Sequence, residues 1–487
     1  MKISQLVKNL ETIKIAGDTN LNVSDLTFDS REVKNSSCFF AVKGVVSDGH
    51  FFVNKAIEQG ANMIVCQILP DFIVEEVCYV QVKDSNYAMG IIAGNFYDNP
   101  SKKLKLVGIT GTNGKTTTVT LLYHLFKKMG YKAGLLSTIH NKVDEHEIPN
   151  THTTPDALGL NRLLAEMVDV GCEFAFMEVS SHSVVQERIA GIHFTGGIFS
   201  NITLDHLDYH KTFDAYIKAK QGFFTQLGKN AFALTNIDDK NGEVMVQNSR
   251  AKIYTYSVKQ SADFTCKVVE NSFEGLHLRI DGKDVFCRLI GLFNAYNFMA
   301  IYSTALLLGA DKDEVLAVMS NLTAADGRFD QVKNTKGVTA IVDYAHTPDA
   351  LENVLSTLNK IRKGNEILIT VVGCGGDRDR SKRPIMAKIA CQLSDKVILT
   401  SDNPRTEDPQ VIIDGMYAGV EEKYKPMVLK IVNREEAIHT ATMLAHTNDI
   451  VLVAGKGHEN YQEINHIKHH FDDKEMLNKY LQSTTNN

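Results

Sequence analysis

Leu104-Lys105-Leu106-Val107-Gly108-Ile109-Thr110-Gly111-Thr112-Asn113-Gly114-Lys115-Thr116-Thr117 is the stretch that decides the architecture. Its first half is an apolar run of strand length, and its second half is a glycine-bounded turn with a lysine and two threonines. From Thr116 to Met129, the residues Val119, Leu122, Leu125, Phe126 and Met129 share one helical face, and Gly130 can close the helix. A strand, a tight loop and a helix N-terminus in succession make a phosphate cradle. Backbone N–H groups of Gly111, Thr112, Asn113 and Gly114 can curl round oxygens, and the helix dipole adds positive potential. Lys115 can reach terminal phosphates, the Thr116 hydroxyl suits Mg²⁺, and Thr117 follows on the helix. The strict GxxxxGK[ST] pattern is broken, because Ile109 stands at its first glycine. The strand–loop–helix context therefore carries the reading, which points to a nucleoside triphosphate.

Working outward, 487 residues hold about three domains at roughly 150 residues each. Hydrophobic residues make up 44% and charged residues 23%, an ordinary globular balance that argues against a disordered chain. The net charge is −6 with no basic block, so no nucleic-acid partner is expected. The longest apolar runs, such as 367–374, fall far short of the roughly 20 residues of a membrane span. The N-terminus has no long apolar run, and no signal peptide is read there. The eight cysteines form no CxxC, so they read as small buried hydrophobes in a reducing compartment, and the cytoplasm is the expected location.

Three segments emerge. Residues 1–98 alternate short apolar runs with polar turns, and Tyr97-Asp98-Asn99-Pro100-Ser101 reads as a linker. Residues 99–328 carry the phosphate loop and further short strands at 174–179, 197–203 and 231–236. Residues 329–487 are the most regular, with strands expected at 338–342, 366–372, 396–400, 428–432 and 450–453 and helical patterns between them. That alternation predicts a parallel sheet with helices on both faces, hence an α/β fold.

Several polar groups fall at strand ends. Glu178 closes an apolar strand, and beside a phosphate loop such an acid can hold a metal directly or through water. Thr203 to His210 crowds histidine and aspartate after another apolar run, which fits metal ligation, substrate contact or a plain polar turn. Phe213, Ile217, Lys220, Phe224 and Leu227 recur at helical spacing, so Lys220 sits inside an apolar stripe. A lysine there snorkels, or is desolvated to a neutral nucleophilic amine, or takes up CO₂ as a metal-binding carbamate; spacing alone does not choose. In the third segment, Gly373 to Arg380, Asp402-Asn403-Pro404-Arg405 and Gly455-Lys456-Gly457-His458-Glu459 each follow a strand. Three polar strand ends together point to a ligand site, and arginines there suit carboxylates. His466, His469 and His470 read as solvated loop residues.

Taken together, Asp29-Ser30-Arg31, GTNGKTT at 111–117, Thr153-Thr154-Pro155, MEVSSH at 177–182, DHLDYH at 205–210, Ala219-Lys220, Asn294 with Asn297, Gly327-Arg328, DYAHTPD at 343–349, GGDRD at 375–379, DNPR at 402–405 and GKGHE at 455–459 resemble the Mur ligase family over nearly the whole chain. Within that family the chain closely resembles the members that add the third peptide residue in peptidoglycan synthesis. The resemblance implies an N-terminal UDP-sugar-binding domain (1–98), a central P-loop-type ATPase domain (99–328) and a C-terminal Rossmann-like domain for the amino acid (329–487).

It also implies roles by position. Ser30 would contact the UDP-sugar, and Thr153, Thr154, Ser180, Gln186 and Arg188 the muramoyl-peptide end. Thr116, Glu178 and His206 would lie at Mg²⁺ sites, with Lys220 as a carbamoylated lysine. Asn294, Arg328 and Asp343 would contact ATP. Arg378, Asp402, Asn403, Pro404, Arg405, Gly455 and Glu459 would bind the incoming amino acid. DNPR accompanies meso-diaminopimelate in this family. His152 and Ser381 depart from the family pattern, where asparagine and glycine are usual. The implied reaction joins meso-diaminopimelate to UDP-N-acetylmuramoyl-L-alanyl-D-glutamate through an acyl phosphate, in a monomer whose domains close. The alternatives are L-lysine as the added amino acid, a folylpolyglutamate synthase, or a switch that only hydrolyses ATP. The N-terminal segment and DNPR argue against the synthase.

Overall fold

The computed structural model describes residues 1–44, 47–149, 153–332 and 334–482. His152 lies outside the described residues. Among those described, the chain forms a mixed α/β structure with a five-stranded, a nine-stranded and a six-stranded sheet in chain order, plus two small antiparallel sheets.

The first sheet runs Lys14–Ala16, Cys78–Gln81, Ala61–Cys66, Ser37–Phe40, Asp25–Thr27, parallel except for the edge strand Lys14–Ala16. Alternation along its strands serves two faces. Cys38, Phe40, Met63, Val65 and Val80 pack with Ala88 and Ile92 of the helix Ser85–Phe96, while Phe39, Ile64 and Tyr79 pack with Val53 and Ala56. The expected linker is instead a packed turn. Asp98 and Asn99 take positive φ, Pro100 opens a 3-10 turn, and Ser101 is buried, its hydroxyl accepting from the His193 N–H at 3.0 Å.

In the nine-stranded sheet Lys105–Thr110 lies in the interior, paired in parallel with Phe174–Glu178 on one side and Gly196–Phe199 on the other. Val107 and Ile109 face Val119, Leu122 and Phe126 of the helix Lys115–Lys128, and Leu106 faces the opposite core. The expected strand at 197–203 stops at Phe199, because Ser200, Asn201 and Thr203 turn their polar groups to the phosphate loop. A three-stranded antiparallel meander at 267–287 adds to the expected strands; its residues alternate buried and exposed instead of forming apolar runs, and much of one face is exposed.

The six-stranded sheet runs Asp330–Val332, Thr339–Asp343, Ile450–Ala454, Leu368–Cys374, Lys396–Ser401, Val428–Lys430. Five strands are parallel, as the apolar runs implied, with helices on both faces. The first, Asp330–Val332, is an antiparallel edge. His466, His469 and His470 are exposed, but they belong to a hairpin, Tyr461–Ile464 with Ile467–His470, rather than a loop. Asn465 and His466 both take positive φ, which closes a two-residue turn compatible with strand twist.

Candidate active site

The phosphate loop is held from three sides. The Asn113 carbonyl accepts from Ser200 Oγ at 2.7 Å and from Asn201 Nδ2 at 3.1 Å, and the Asn113 N–H donates to Asn201 Oδ1 at 2.9 Å. Thr112 Oγ1 lies 3.1 Å from the Tyr216 hydroxyl. Gly114 sits at φ 86°, and a Cβ there would stand 2.5 Å from Asn297 Oδ1, so only glycine serves. Lys115 donates to the carbonyls of Gly111 and Thr112, both at 2.9 Å. Burial pulls its pKa down, with Glu178 and Asp205 opposing.

Lys220 is 2% exposed on the helix Phe213–Gln226 and donates to the same Gly111 carbonyl at 2.7 Å. Desolvation drives its pKa well below that of an ordinary lysine, and the neighbouring Lys115 adds to the shift. The structure thus favours the desolvated amine over the snorkelling lysine.

Glu178 ends its strand 1% exposed. Its Oε1 accepts from the Thr138 N–H at 2.7 Å, while Oε2 is buried with no hydrogen-bond partner. An orphaned carboxylate oxygen near a lysine and a phosphate loop is chemically suited to a hard divalent cation. Among the described residues there is no cluster of three or more His, Cys, Asp or Glu that could hold a metal by itself. Any cation would therefore complete its shell with hydroxyls, phosphates or water.

Around the Glu178 strand end, the residues read as peptide-binding form one network. Thr154 Oγ1 donates to the Glu178 carbonyl at 2.9 Å and accepts from the Ser180 N–H at 3.2 Å. Arg188 donates to the Thr154 carbonyl at 2.7 Å and to Gln186 Oε1 at 2.7 and 3.0 Å. Thr153 Oγ1 accepts from Thr138 Oγ1 at 3.2 Å. His206 takes φ 54° just before a short helical turn, its ring 5.0 Å from that of His182. Ser30 stands apart, buried in the turn after the strand Asp25–Thr27.

A cavity of about 400 Å³ opens beside the loop, lined by Asn113, Gly114, Thr117, Asn297, Arg328 and Asp343 among others. Its walls come from both the central and the C-terminal segments. Arg328 donates to Thr116 Oγ1 at 3.3 Å and lies 4.5 Å over the Tyr344 ring. Asp343 accepts from the Phe329 N–H at 2.7 Å, and burial pushes its carboxyl up to about 6, with Arg328 opposing. Asn294 is buried behind the wall and accepts from Asn297 Nδ2 at 2.9 Å. Asp349, the last residue of DYAHTPD and given no role of its own from the sequence, accepts from Asn113 Nδ2 at 3.0 Å and from Thr203 Oγ1 at 2.8 Å, tying the C-terminal segment to the loop.

The three polar strand ends of the C-terminal sheet also converge. Asn403 Nδ2 donates to Glu459 Oε2 at 2.7 Å, and Lys456 Nζ, fully buried, donates to Asn403 Oδ1 at 3.1 Å and Glu459 Oε2 at 3.2 Å. Two donors on Oδ1, Lys456 and the Glu463 N–H, fix the Asn403 amide orientation. Arg405 donates to the Gly376 carbonyl at 2.8 Å and pairs with Glu463 at 3.4 Å. Pro404 closely approaches Gly376, and Gly455, at φ 119°, leaves no room for a Cβ beside Asp402 Oδ2. Burial alone would raise the Asp402 carboxyl, but Lys456 and Arg434 outweigh it and hold the group below the usual carboxylate range. Arg378 is exposed on the neighbouring loop. Lys456, Glu463 and Arg434 were not assigned roles from sequence; a lysine inside GKGHE was the one available signal.

Comparison with known proteins gives a consistent result. Residues 22–97 match "Mur ligase family, catalytic domain", 109–305 match "Mur ligase middle domain", and 327–457 match "Mur ligase, glutamate ligase domain". A UDP-N-acetylmuramoyl-L-alanyl-D-glutamate--2,6-diaminopimelate ligase of Cytophaga hutchinsonii is 56% identical over 482 residues, covering 99% of each chain. The ligase of the same name from Phocaeicola vulgatus is 54% identical, covering 98% of this chain and 99% of its own. A solved structure of a ligase of that name superposes with a TM-score of 0.69 at 32% identity, over 99% of this chain and 98% of its own.

Proposed function

The chain belongs to the Mur ligase family, and from that premise we propose how its parts divide one reaction. It is an ATP-dependent ligase that adds meso-2,6-diaminopimelate to UDP-N-acetylmuramoyl-L-alanyl-D-glutamate in peptidoglycan synthesis. The observation that carries this is the full-length identity to relatives of that activity. We assign 1–98 to the UDP-sugar, with Ser30 at its contact, 99–328 to ATP and 329–487 to the amino acid. The enzyme acts as a monomer in the cytoplasm. Among the described residues no helix is long and apolar enough to cross a membrane.

A carboxylate is a poor acyl donor. In the proposed sequence the D-glutamate γ-carboxylate of the nucleotide peptide takes the terminal phosphoryl group of ATP, releasing ADP. The amine of diaminopimelate then attacks the acyl carbon, phosphate leaves, and the attacking nitrogen loses a proton. Lys115 exchanges its loop carbonyls for phosphate oxygens, and the loop N–H groups and helix N-terminus stabilise charge as it shifts. Arg328 and Asp343 line the nucleotide cavity, and Asn294 holds the lining Asn297 from behind. Thr153, Thr154, Ser180, Gln186 and Arg188 hold the peptide carboxylate at the Glu178 strand end.

Mg²⁺ would be held by Thr116, Glu178 and His206, with Lys220 as a carbamate, and the unpartnered Glu178 Oε2 supports that choice. The ion would neutralise phosphate charge. Arg378, the DNPR residues, Gly455 and Glu459 position the amino acid, with Glu459 facing an ammonium group and Arg405 a carboxylate.

The test is product mass from a panel of amino acids with UDP-N-acetylmuramoyl-L-alanyl-D-glutamate and ATP, together with phosphate release. Diaminopimelate should give product, and phosphate should appear only when both co-substrates are present. Product from L-lysine at equal efficiency would favour the lysine-adding reading. Phosphate release without either co-substrate would favour an ATP-hydrolysing switch.

A further inference from the structure

The guanidinium of Arg434 is fully buried at the start of the helix Arg434–Leu444. Its Nε and Nη2 donate to the two carboxylate oxygens of Asp473, both at 2.7 Å. Asp473 is equally buried and opens the helix Asp473–Gln482. Two further donors go to main-chain carbonyls, Nη1 to Ser401 at 3.3 Å and Nη2 to Ala454 at 3.2 Å. Those carbonyls are the last residues of the strands Lys396–Ser401 and Ile450–Ala454, which flank Leu368–Cys374 in the sheet. The residues that follow them are Asp402-Asn403-Pro404-Arg405 and Gly455-Lys456-Gly457-His458-Glu459. One side chain thus joins the roots of both amino-acid loops to the last helix.

A hydrophobic side chain could fill this position in a core at no electrostatic cost, and a buried ion pair is weak evidence of a stabilising role. What the pair supplies instead is geometry and charge. The planar fork holds two carbonyls and a bidentate carboxylate in one fixed geometry, whereas a lysine ammonium is a rotatable point donor that cannot match the carboxylate in two parallel bonds. Arg434 also acts on Asp402, helping to keep that carboxylate ionised, and both Asp402 and Glu459 act back on Arg434.

We propose that Arg434, locked by Asp473, is a positioning pair for the incoming amino acid: it sets the spacing of the 402–405 and 455–459 loops without touching substrate. The inference rests on the amino-acid role given to those loops above.

The experiment compares wild type with Arg434→Lys and Asp473→Asn in the full-length enzyme. It reads KM for diaminopimelate, for ATP and for the nucleotide peptide, with kcat and thermal midpoint. Because a buried charge pair is being loosened, KM for diaminopimelate should rise about tenfold or more in both variants. KM for the other two substrates should stay within about twofold, since their sites lie on other elements. The two variants should also act non-additively when combined, because each breaks the same pair. An unchanged diaminopimelate KM in a folded variant overturns the proposal, and so does a parallel rise in all three KM values, which marks a merely structural role. If one variant fails to fold, the other decides. Failure of wild type to use diaminopimelate would instead strike at the function itself.

Discussion

Lys220 and Gly111 are joined by a 2.7 Å hydrogen bond from the lysine nitrogen to the loop carbonyl, and Lys115 donates to that same carbonyl at 2.9 Å. Two ammonium groups on one oxygen repel, and desolvation falls most heavily on Lys220. Of the two, Lys220 is therefore driven further toward the neutral amine, the form that reacts with CO₂. Lys220→Ala should be nearly inactive and partly rescued by small carboxylic acids. Full activity of wild type after exhaustive CO₂ removal, with an unmodified lysine by mass, would refute the carbamate.

Lys115→Ala and Glu178→Ala should each lower kcat by about 10²–10³ or more, the scale for losing a group aimed at a transferring phosphoryl. Glu178→Ala also removes the oxygen that accepts from the Thr138 N–H at 2.7 Å, so its thermal midpoint should fall modestly. Circular dichroism and steady-state rates check both, and near-normal turnover in either folded variant contradicts the assignment.

Arg405 should discriminate between amino acids by charge. On the proposed role, its fork would pair with the distal carboxylate of diaminopimelate, whereas the far end of lysine carries an ammonium alone. A charged hydrogen bond is worth roughly 1.5–3 kcal/mol, which sets discrimination in kcat/KM at about a hundredfold when the unpaired arginine is counted. Arg405→Ala should lose diaminopimelate use while changing lysine use little. Equal losses for both would remove the specificity role, since Arg405 also braces Gly376 and Glu463.

Asp343 gives a pH signature. Burial pushes its carboxyl from 3.8 to about 6. The folded state therefore holds this proton more tightly than the unfolded chain does. The stabilisation is full below the unfolded pKa and is lost as pH rises through the folded one. Above that window the buried anion costs about 2–3 kcal/mol. Asp343→Asn should be more stable than wild type near neutral pH by that order, and the gain should vanish near pH 4, close to the unfolded carboxyl pKa of about 3.9. Its KM for ATP should rise. Urea denaturation at the two pH values checks this, and a gain independent of pH would mean that Asp343 is not the group responsible.

The phosphate loop, Glu178 and the parallel strands of the third segment were legible in the sequence because each is a local pattern. A strand–loop–helix transition spans a few residues, and strands buried on both faces must be apolar runs. Lys220 stood out because a charge inside an apolar stripe is a local contradiction. The folded chain alone decided what those groups meet. Asn113 and Asp349 are 236 residues apart, Arg328 and Thr116 are 212 apart, and Arg434 finds Asp473 across 39 residues. No periodicity records such pairings, because a buried polar group is satisfied by whichever donor the packed layers bring to it. The chemistry at each strand end was fixed by residue type. The juxtaposition of the strand ends, the cavity between two segments and the buried cations Arg434 and Lys456 beside those ends arose only when the sheets were packed together.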